Sequence, residues 1–211
     1  MFLEPAFKAQ RSGWIEIICG SMFSGKTEEL LRRINRATYA GLKIEVFKPV
    51  TDSRYHETDV VSHDDRSIRS NPVQKSMHIL NIASDLDVVA IDEGQFFDEK
   101  LPHVCQQLAL KGIRVIVAGL DMDYLGKPFG PMPDLMAVAE YITKVHAICV
   151  HCGNLASHSY RKHGQNTQVL LGSGDLYEPR CRKCFEMGNI LDFKMKNKSS
   201  QPPPSMPKLF D

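Results

Sequence analysis

A chain of 211 residues, 43% of them hydrophobic, holds enough apolar material for one substantial core and a small satellite unit. With 26 basic against 25 acidic residues the net charge is +1, which excludes a long-range field for recruiting nucleic acid or an anionic membrane; a nucleic-acid role would need a local patch. The opening MFLEPAFKAQRSG carries an acidic residue and a proline and lacks a signal-length apolar run, and no segment approaches the ~20 apolar residues of a membrane span, so the expectation is a cytoplasmic chain with neither membrane nor nucleic-acid partners.

In chain order, WIEIICG (14–20) predicts a strand and TEELLRRINRATYAG (27–41) a helix, with Leu30, Leu31, Ile34 and Ala37 or Thr38 on one face and Gly41 as its stop. KIEVFKP (43–49) reads as a second strand ending in a break, and the polar stretch 51–70 as a mobile loop of functional kind. A third strand, DVVAI (87–91), precedes a helix whose Leu101, Val104, Cys105, Leu108 and Ala109 step through helical spacing up to Gly112. IRVIVAG (113–119) is a fourth strand. Strands separated by helices imply crossovers, and hence a parallel sheet covered on both faces. Beyond it, 121–134 with Pro128, Pro131 and Pro133 reads as a loop, LMAVAEY (135–141) as a short helix, and NKSSQPPPSMPKLFD (197–211) as disordered.

The turn between the first strand and helix spells GSMFSGKT: Gly20, Ser21, Met22, Phe23, Ser24, Gly25, Lys26 and Thr27 satisfy G-x-x-x-x-G-K-[ST] at every fixed position. Glycines let backbone amides wrap phosphates at a helix N-terminus, Lys26 reaches the β- and γ-phosphates, and Thr27 offers its hydroxyl to Mg²⁺. Nucleoside triphosphate binding follows. Such a loop needs an acidic partner at the end of another buried strand, and Asp92 suits that role. Its neighbour Glu93 is then available as a proton acceptor, because a base must stay clear of the ion to remain basic. In the same stretch one of the adjacent Phe96 and Phe97 can face a pocket while the other enters the core, and Phe97 is assigned to the core.

Six cysteines divide into two single ones, Cys19 and Cys105, and two C-x-x-C pairs, Cys149/Cys152 and Cys181/Cys184. Four thiolates so spaced suit a tetrahedral structural Zn²⁺ that closes the base of the long loop 153–180. His151 lies inside the first pair, but four thiolates already complete a set.

In this order, GSMFSGKTEEL, DSRY, IDEGQFF, KPFG and the two C-x-x-C pairs closely resemble the type II thymidine kinases over residues 14–187. The resemblance implies ATP-dependent phosphorylation of the 5′-hydroxyl of thymidine, and of deoxyuridine, since one methyl separates the two bases. It implies Glu93 as the base, Asp92 near magnesium, and Asp52 and Arg54 near the phosphates. The thymidine pocket falls on Met22, Phe96, Leu120, Tyr124 and Phe129, with Tyr124 standing where vertebrate members carry phenylalanine. The covering loop contributes Leu170, Gly172 and Tyr177. A homotetramer and feedback inhibition by thymidine triphosphate are also implied.

The expected organisation is therefore an N-terminal extension (1–12), a P-loop α/β domain (13–141), a zinc-ribbon-like domain (142–190) carrying the substrate-covering loop, and a tail (191–211). Two rivals remain open at this point: a phosphate-loop regulatory ATPase, which has no use for the aromatic pair, and a nucleic-acid-binding zinc module, for which RCRKC (180–184) supplies three charges.

Overall fold

The computed structural model describes residues 12–50, 59–61, 67–162 and 176–199, with 59–61, 67–68 and 191–199 described as backbone only. The elements are β1 (Trp14–Cys19), α1 (Lys26–Tyr39), β2 (Ile44–Pro49), β3 (Asp59–Val61), β4 (Ser67–Arg69), β5 (Asn71–Val73), α2 (Met77–Ile82), β6 (Val88–Ile91), α3 (Leu101–Leu110), β7 (Arg114–Gly119), α4 (Met132–Val138), β8 (Tyr141–Lys144), β9 (Ala147–Ile148), β10 (Leu155–Ala156), β11 (His158–Arg161), β12 (Tyr177–Arg180) and α5 (Arg182–Ser199).

Six strands form one sheet in the order β5-β2-β6-β7-β1-β8, and every pairing in it is parallel. Strand β6 (VVAI) is apolar throughout and β7 nearly so, because both faces of the sheet are covered. Ile15, Ile17, Val89, Ile91, Val115 and Val117 meet α3 and α4 residues such as Leu101, Leu108 and Leu135 on one face. Ile18, Val88, Ala90, Ile116 and Ala118 meet Leu30, Leu31 and Ile34 of α1 on the other. Gly41 and Gly112 follow α1 and α3 with positive φ, as helix stops do.

The α1 face also holds a charge. Glu16 of β1 is fully buried and accepts hydrogen bonds from Arg33 Nη1 (2.7 Å), Arg114 Nε (2.6 Å) and Trp14 Nε1 (2.7 Å). Arg33 reaches on to Thr143 Oγ1 of β8, so one carboxylate ties α1, β7 and the edge strand together.

Several boundaries depart from the sequence reading. The stretch read as loop 51–70 contains the antiparallel pair β3–β4, and residues 51–58 and 62–66 lie outside the described residues. Val60, Val61 and Ile68 supply the β-branched residues that favour extended backbone there. The short helix begins at Met132, three residues early, with Pro133 tolerated in its first turn, and ends at Val138; Ala139 is extended (ψ 140°) and Tyr141 starts β8 instead. The helix α5 runs through the boundary expected at residue 190 to Ser199. Residues 1–11 and 200–211 of the expected extension and tail lie outside the described residues. Among the described residues no helix is long and apolar enough to cross a membrane.

Candidate active site and metal centre

The P-loop turn follows β1 directly. Gly20 has φ 151°, and a Cβ there would lie 2.2 Å from the Val145 carbonyl oxygen, so only glycine fits. Gly25 (φ 82°) precedes α1, whose first residue is Lys26. Lys26 Nζ donates to the Ser21 carbonyl oxygen at 2.7 Å, and Ser24 Oγ to the same oxygen at 2.7 Å. Burial pulls the Lys26 ammonium pKa down, while the charges of Glu93, Asp92 and Asp121 oppose that shift. Thr27 is the second residue of α1.

Strand β6 ends two places from β1 in the sheet, with β7 between them. Asp92 leaves it with its amide on the Phe47 carbonyl oxygen (2.9 Å) and its Oδ1 accepting the Glu93 amide (2.9 Å). Burial, and then the Glu93 charge, push the Asp92 carboxyl up to about 7. Glu93 sits in left-handed backbone (φ 54°, ψ 40°), sparsely populated for a side-chain-bearing residue and characteristic of functional turns. A single 3₁₀ turn over Gly94–Phe96 then reverses the chain. Phe97 enters the core, as assigned, while Phe96 stays partly exposed and packs edge-on against Phe129, with centroids 5.5 Å apart.

The loop after β7 carries the rest of the expected pocket. Asp123 Oδ1 accepts the amides of Leu125 (2.9 Å) and Lys127 (3.0 Å), closing a tight turn that presents Tyr124, and the Phe129 amide returns to the Asp121 carbonyl oxygen (3.2 Å). Arg161, from β11, lays its guanidinium 3.5 Å over the Tyr124 ring and donates to the Tyr177 hydroxyl through Nη2 (2.7 Å) and Nε (3.1 Å). Tyr124 and Tyr177 therefore meet through one arginine. Met22 joins the same region, because its amide donates to Ser159 Oγ of β11 at 2.9 Å. Asp52, Arg54, Leu170 and Gly172 lie outside the described residues.

The sequence reading passed over four residues here. They are Gln95, Ser159, Asp121 and Arg161, none of which belongs to a motif that assigns it a contact. Gln95 is buried and bonds both Glu93 and the Leu120 amide. Asp121 is buried against Lys144 (2.6 Å) with its second oxygen unpartnered among the described residues. The one available signal was a polar side chain at a buried strand end, as in Gly-Gln-Phe or Gly-Leu-Asp.

The four cysteine sulfurs of Cys149, Cys152, Cys181 and Cys184 lie within 4.8 Å of one another. Crowding and burial spread their acidities. Burial opposes ionisation of Cys149, but amides of Cys181, His151 and Cys152 bring it down to about 6. Hydrogen bonding with Cys152 and Cys181 pushes Cys184 up to about 12. Four thiols converging at this spacing fit a tetrahedral thiolate metal site. His151 is turned away onto Glu178 Oε1 (2.8 Å).

The family model "Thymidine kinase" matches residues 13–185. A thymidine kinase of Rhodothermus sp. (strain ITI 518) is 62% identical over 174 residues, covering 82% of this chain and 82% of its own. One from Bacteroides thetaiotaomicron is 60% identical over 178 residues (84% and 89%), and one from Bdellovibrio bacteriovorus is 53% identical over 188 residues (87% and 92%). With the phosphate loop, the carboxylates facing its lysine and the four-cysteine cluster in one chain, these matches establish that the chain belongs to the thymidine kinase family.

Proposed function

We propose that this chain transfers the γ-phosphoryl group of ATP to the 5′-hydroxyl of thymidine, with Glu93 as the base. The observation that carries the reading is electrostatic: Lys26, at the N-terminus of α1, feels the charges of Asp92 and Glu93, which follow β6 on the far side of β7. Positive charge for phosphates and negative charge for a metal and a proton thus meet beyond the C-terminal ends of the central strands.

ATP is cradled by residues 20–27, with Asp52 and Arg54 completing its surroundings. Thr27 and Asp92 would hold Mg²⁺, and the donor set fits, since a buried carboxylate disfavouring its own charge gains most from an adjacent cation. That ion, when bound, neutralises charge on the phosphates. Asp92 is occupied with the Glu93 amide on one oxygen, which keeps the Glu93 carboxylate on the acceptor side. Glu93 takes the hydroxyl proton, a role worth roughly 10²–10⁴-fold in rate. Positioning supplies much of the rest, because the transition state is loose.

Met22, Phe96, Leu120, Tyr124 and Phe129 enclose the base, and Leu170, Gly172 and Tyr177 cover it. Deoxyuridine is accepted too, one methyl being worth only ~1–3 kcal/mol of discrimination. Cys149, Cys152, Cys181 and Cys184 would hold Zn²⁺ as a structural ion. A homotetramer and inhibition by thymidine triphosphate belong to the same proposal.

Purified protein with ATP, Mg²⁺ and each nucleoside in turn tests it. Thymidine monophosphate is expected, with Glu93→Gln binding ATP but failing to transfer. Nucleoside-independent ATP hydrolysis at equal rate would point instead to a regulatory ATPase, and full activity in Glu93→Gln would remove Glu93 from its role.

A further inference from the structure

Gln95 sits between two parts of the site that the chain places far from each other in sequence. Its Oε1 accepts the backbone amide of Leu120 at 2.8 Å, and its Nε2 donates to Glu93 Oε2. The direction of this relay is fixed chemically. A backbone amide can only donate, so the Gln95 oxygen must face Leu120 and its NH₂ must face Glu93. Only 2% of the residue is exposed.

The surrounding backbone makes room for this one side chain. A Cβ on Gly119 would come within 2.8 Å of Gln95 Oε1, and one on Gly130 would come within 2.2 Å of the Gln95 carbonyl oxygen. Gly119 at the end of β7 and Gly130 of the loop that follows therefore both bring backbone close to Gln95. Meanwhile Glu93 is held at its own backbone in left-handed conformation, with its amide on Asp92. Backbone strain sets where the side chain starts, and only Gln95 is bonded to its far end among the described residues.

We propose that Gln95 is a positioning residue for the reaction: it aims the Glu93 carboxylate at the acceptor hydroxyl and ties that aim to the Leu120 wall of the nucleoside pocket. The inference rests on the reading of Glu93 as base. The carboxylate keeps one oxygen on Gln95 and presents the other to the substrate. Because the relay ends on a pocket amide, a shift of the Leu120 loop is transmitted to the base as a lost or lengthened hydrogen bond.

The test is a double-mutant cycle on the full chain loaded with zinc. Gln95→Met removes both bonds, and kcat is expected to fall tenfold or more while KM for ATP stays within twofold. Gln95→Glu keeps an acceptor for the Leu120 amide but sets a carboxylate against Glu93; it is expected not to rescue kcat, and it is the arm to read if Gln95→Met does not fold. In single turnovers at high enzyme concentration, Glu93→Gln and Glu93→Gln/Gln95→Met are expected to share one residual rate, since aiming a base that is absent gains nothing. Wild-type kcat in Gln95→Glu, or an equal further loss when Gln95→Met is added to Glu93→Gln, would reduce Gln95 to a packing residue. Full activity in Glu93→Gln alone would overturn the base assignment itself, a separate failure.

Discussion

The two halves of the molecule hold their functional residues by different means. In the α/β half, side chains at the ends of β1, β6 and β7 are positioned by strands buried on both faces, so apolar area taken out of water supplies the stiffness. The four-cysteine half has less of it: Ala147, Cys149 and Ala156 form a small buried cluster backed by Cys181 and Cys184, and Tyr160, Tyr177 and Phe185 are also buried. Polar clasps reinforce that small core. Arg180 lies 3.3 Å over the Tyr160 ring, bonds Glu178 Oε1 through Nε (2.7 Å) and reaches the Cys184 carbonyl oxygen (3.2 Å). Yet this half supplies Ser159 to the Met22 amide and Arg161 to Tyr124 and Tyr177, so the weaker scaffold carries contacts on which the proposed site depends. A unit too small for its own core needs a metal or a crosslink, and the cysteine cluster fits that need.

The largest effect is expected from emptying the four-cysteine site. Cys149→Ala, or prolonged chelation, is expected to abolish transfer and lose zinc, while the sheet keeps its cooperative unfolding and its ATP affinity changes little. Metal analysis, calorimetry and a binding titration check it, and simultaneous unfolding of both halves would show that their stabilities are one.

The converse disturbance lies in the α/β half. Glu16→Gln leaves Arg33 and Arg114 facing a neutral group in a buried place, at an expected cost of ~3–5 kcal/mol in denaturant unfolding. Arginine hydrogen bonds overcome burial and hold the Glu16 carboxyl below its ordinary value of 4.5. A depressed folded value means stability that is present above pH 4.5 and lost as pH falls through the folded value. The gap between wild type and Glu16→Gln should therefore be full at pH 7 and close at strongly acidic pH; a gap independent of pH would deny the ion pair its role.

A smaller effect is expected where the halves touch. Ser159→Ala strips the Met22 amide of its acceptor, a loss of about 1–3 kcal/mol felt in KM for thymidine more than in unfolding. An unchanged KM would detach β11 from the pocket. Smallest of all, Lys43→Ala removes an ion pair with Asp85 in which both side chains are largely exposed, and no measurable change in unfolding is expected, at low salt or high.

Much of this was legible in advance, for identifiable reasons. β1, β2, β6 and β7 were readable because strands covered on both faces are apolar runs, and α1 and α3 because their periodicity survives burial on one side. The phosphate loop, the carboxylate pair and the cysteine pairs are short-range patterns whose chemistry demands fixed spacing. β5 and β8 were not readable. Both are edge strands of three or four residues, and β5 contains Pro72, which an edge tolerates because one side of its backbone needs no partner. Helix α4 was misplaced because prolines that signal a loop can equally occupy a first helical turn.

By itself, then, the sequence determined which chemistry the chain carries: a phosphate-binding turn, an acidic strand end and four thiols, each defined by residues a few positions apart. Tertiary structure alone decided how those groups are aimed. Gln95 meets Leu120 across 25 positions, Met22 meets Ser159 across 137, and Arg161 joins Tyr124 to Tyr177. Such bonds depend on strand order and on glycines that let backbones close together, and neither leaves a local pattern in the chain.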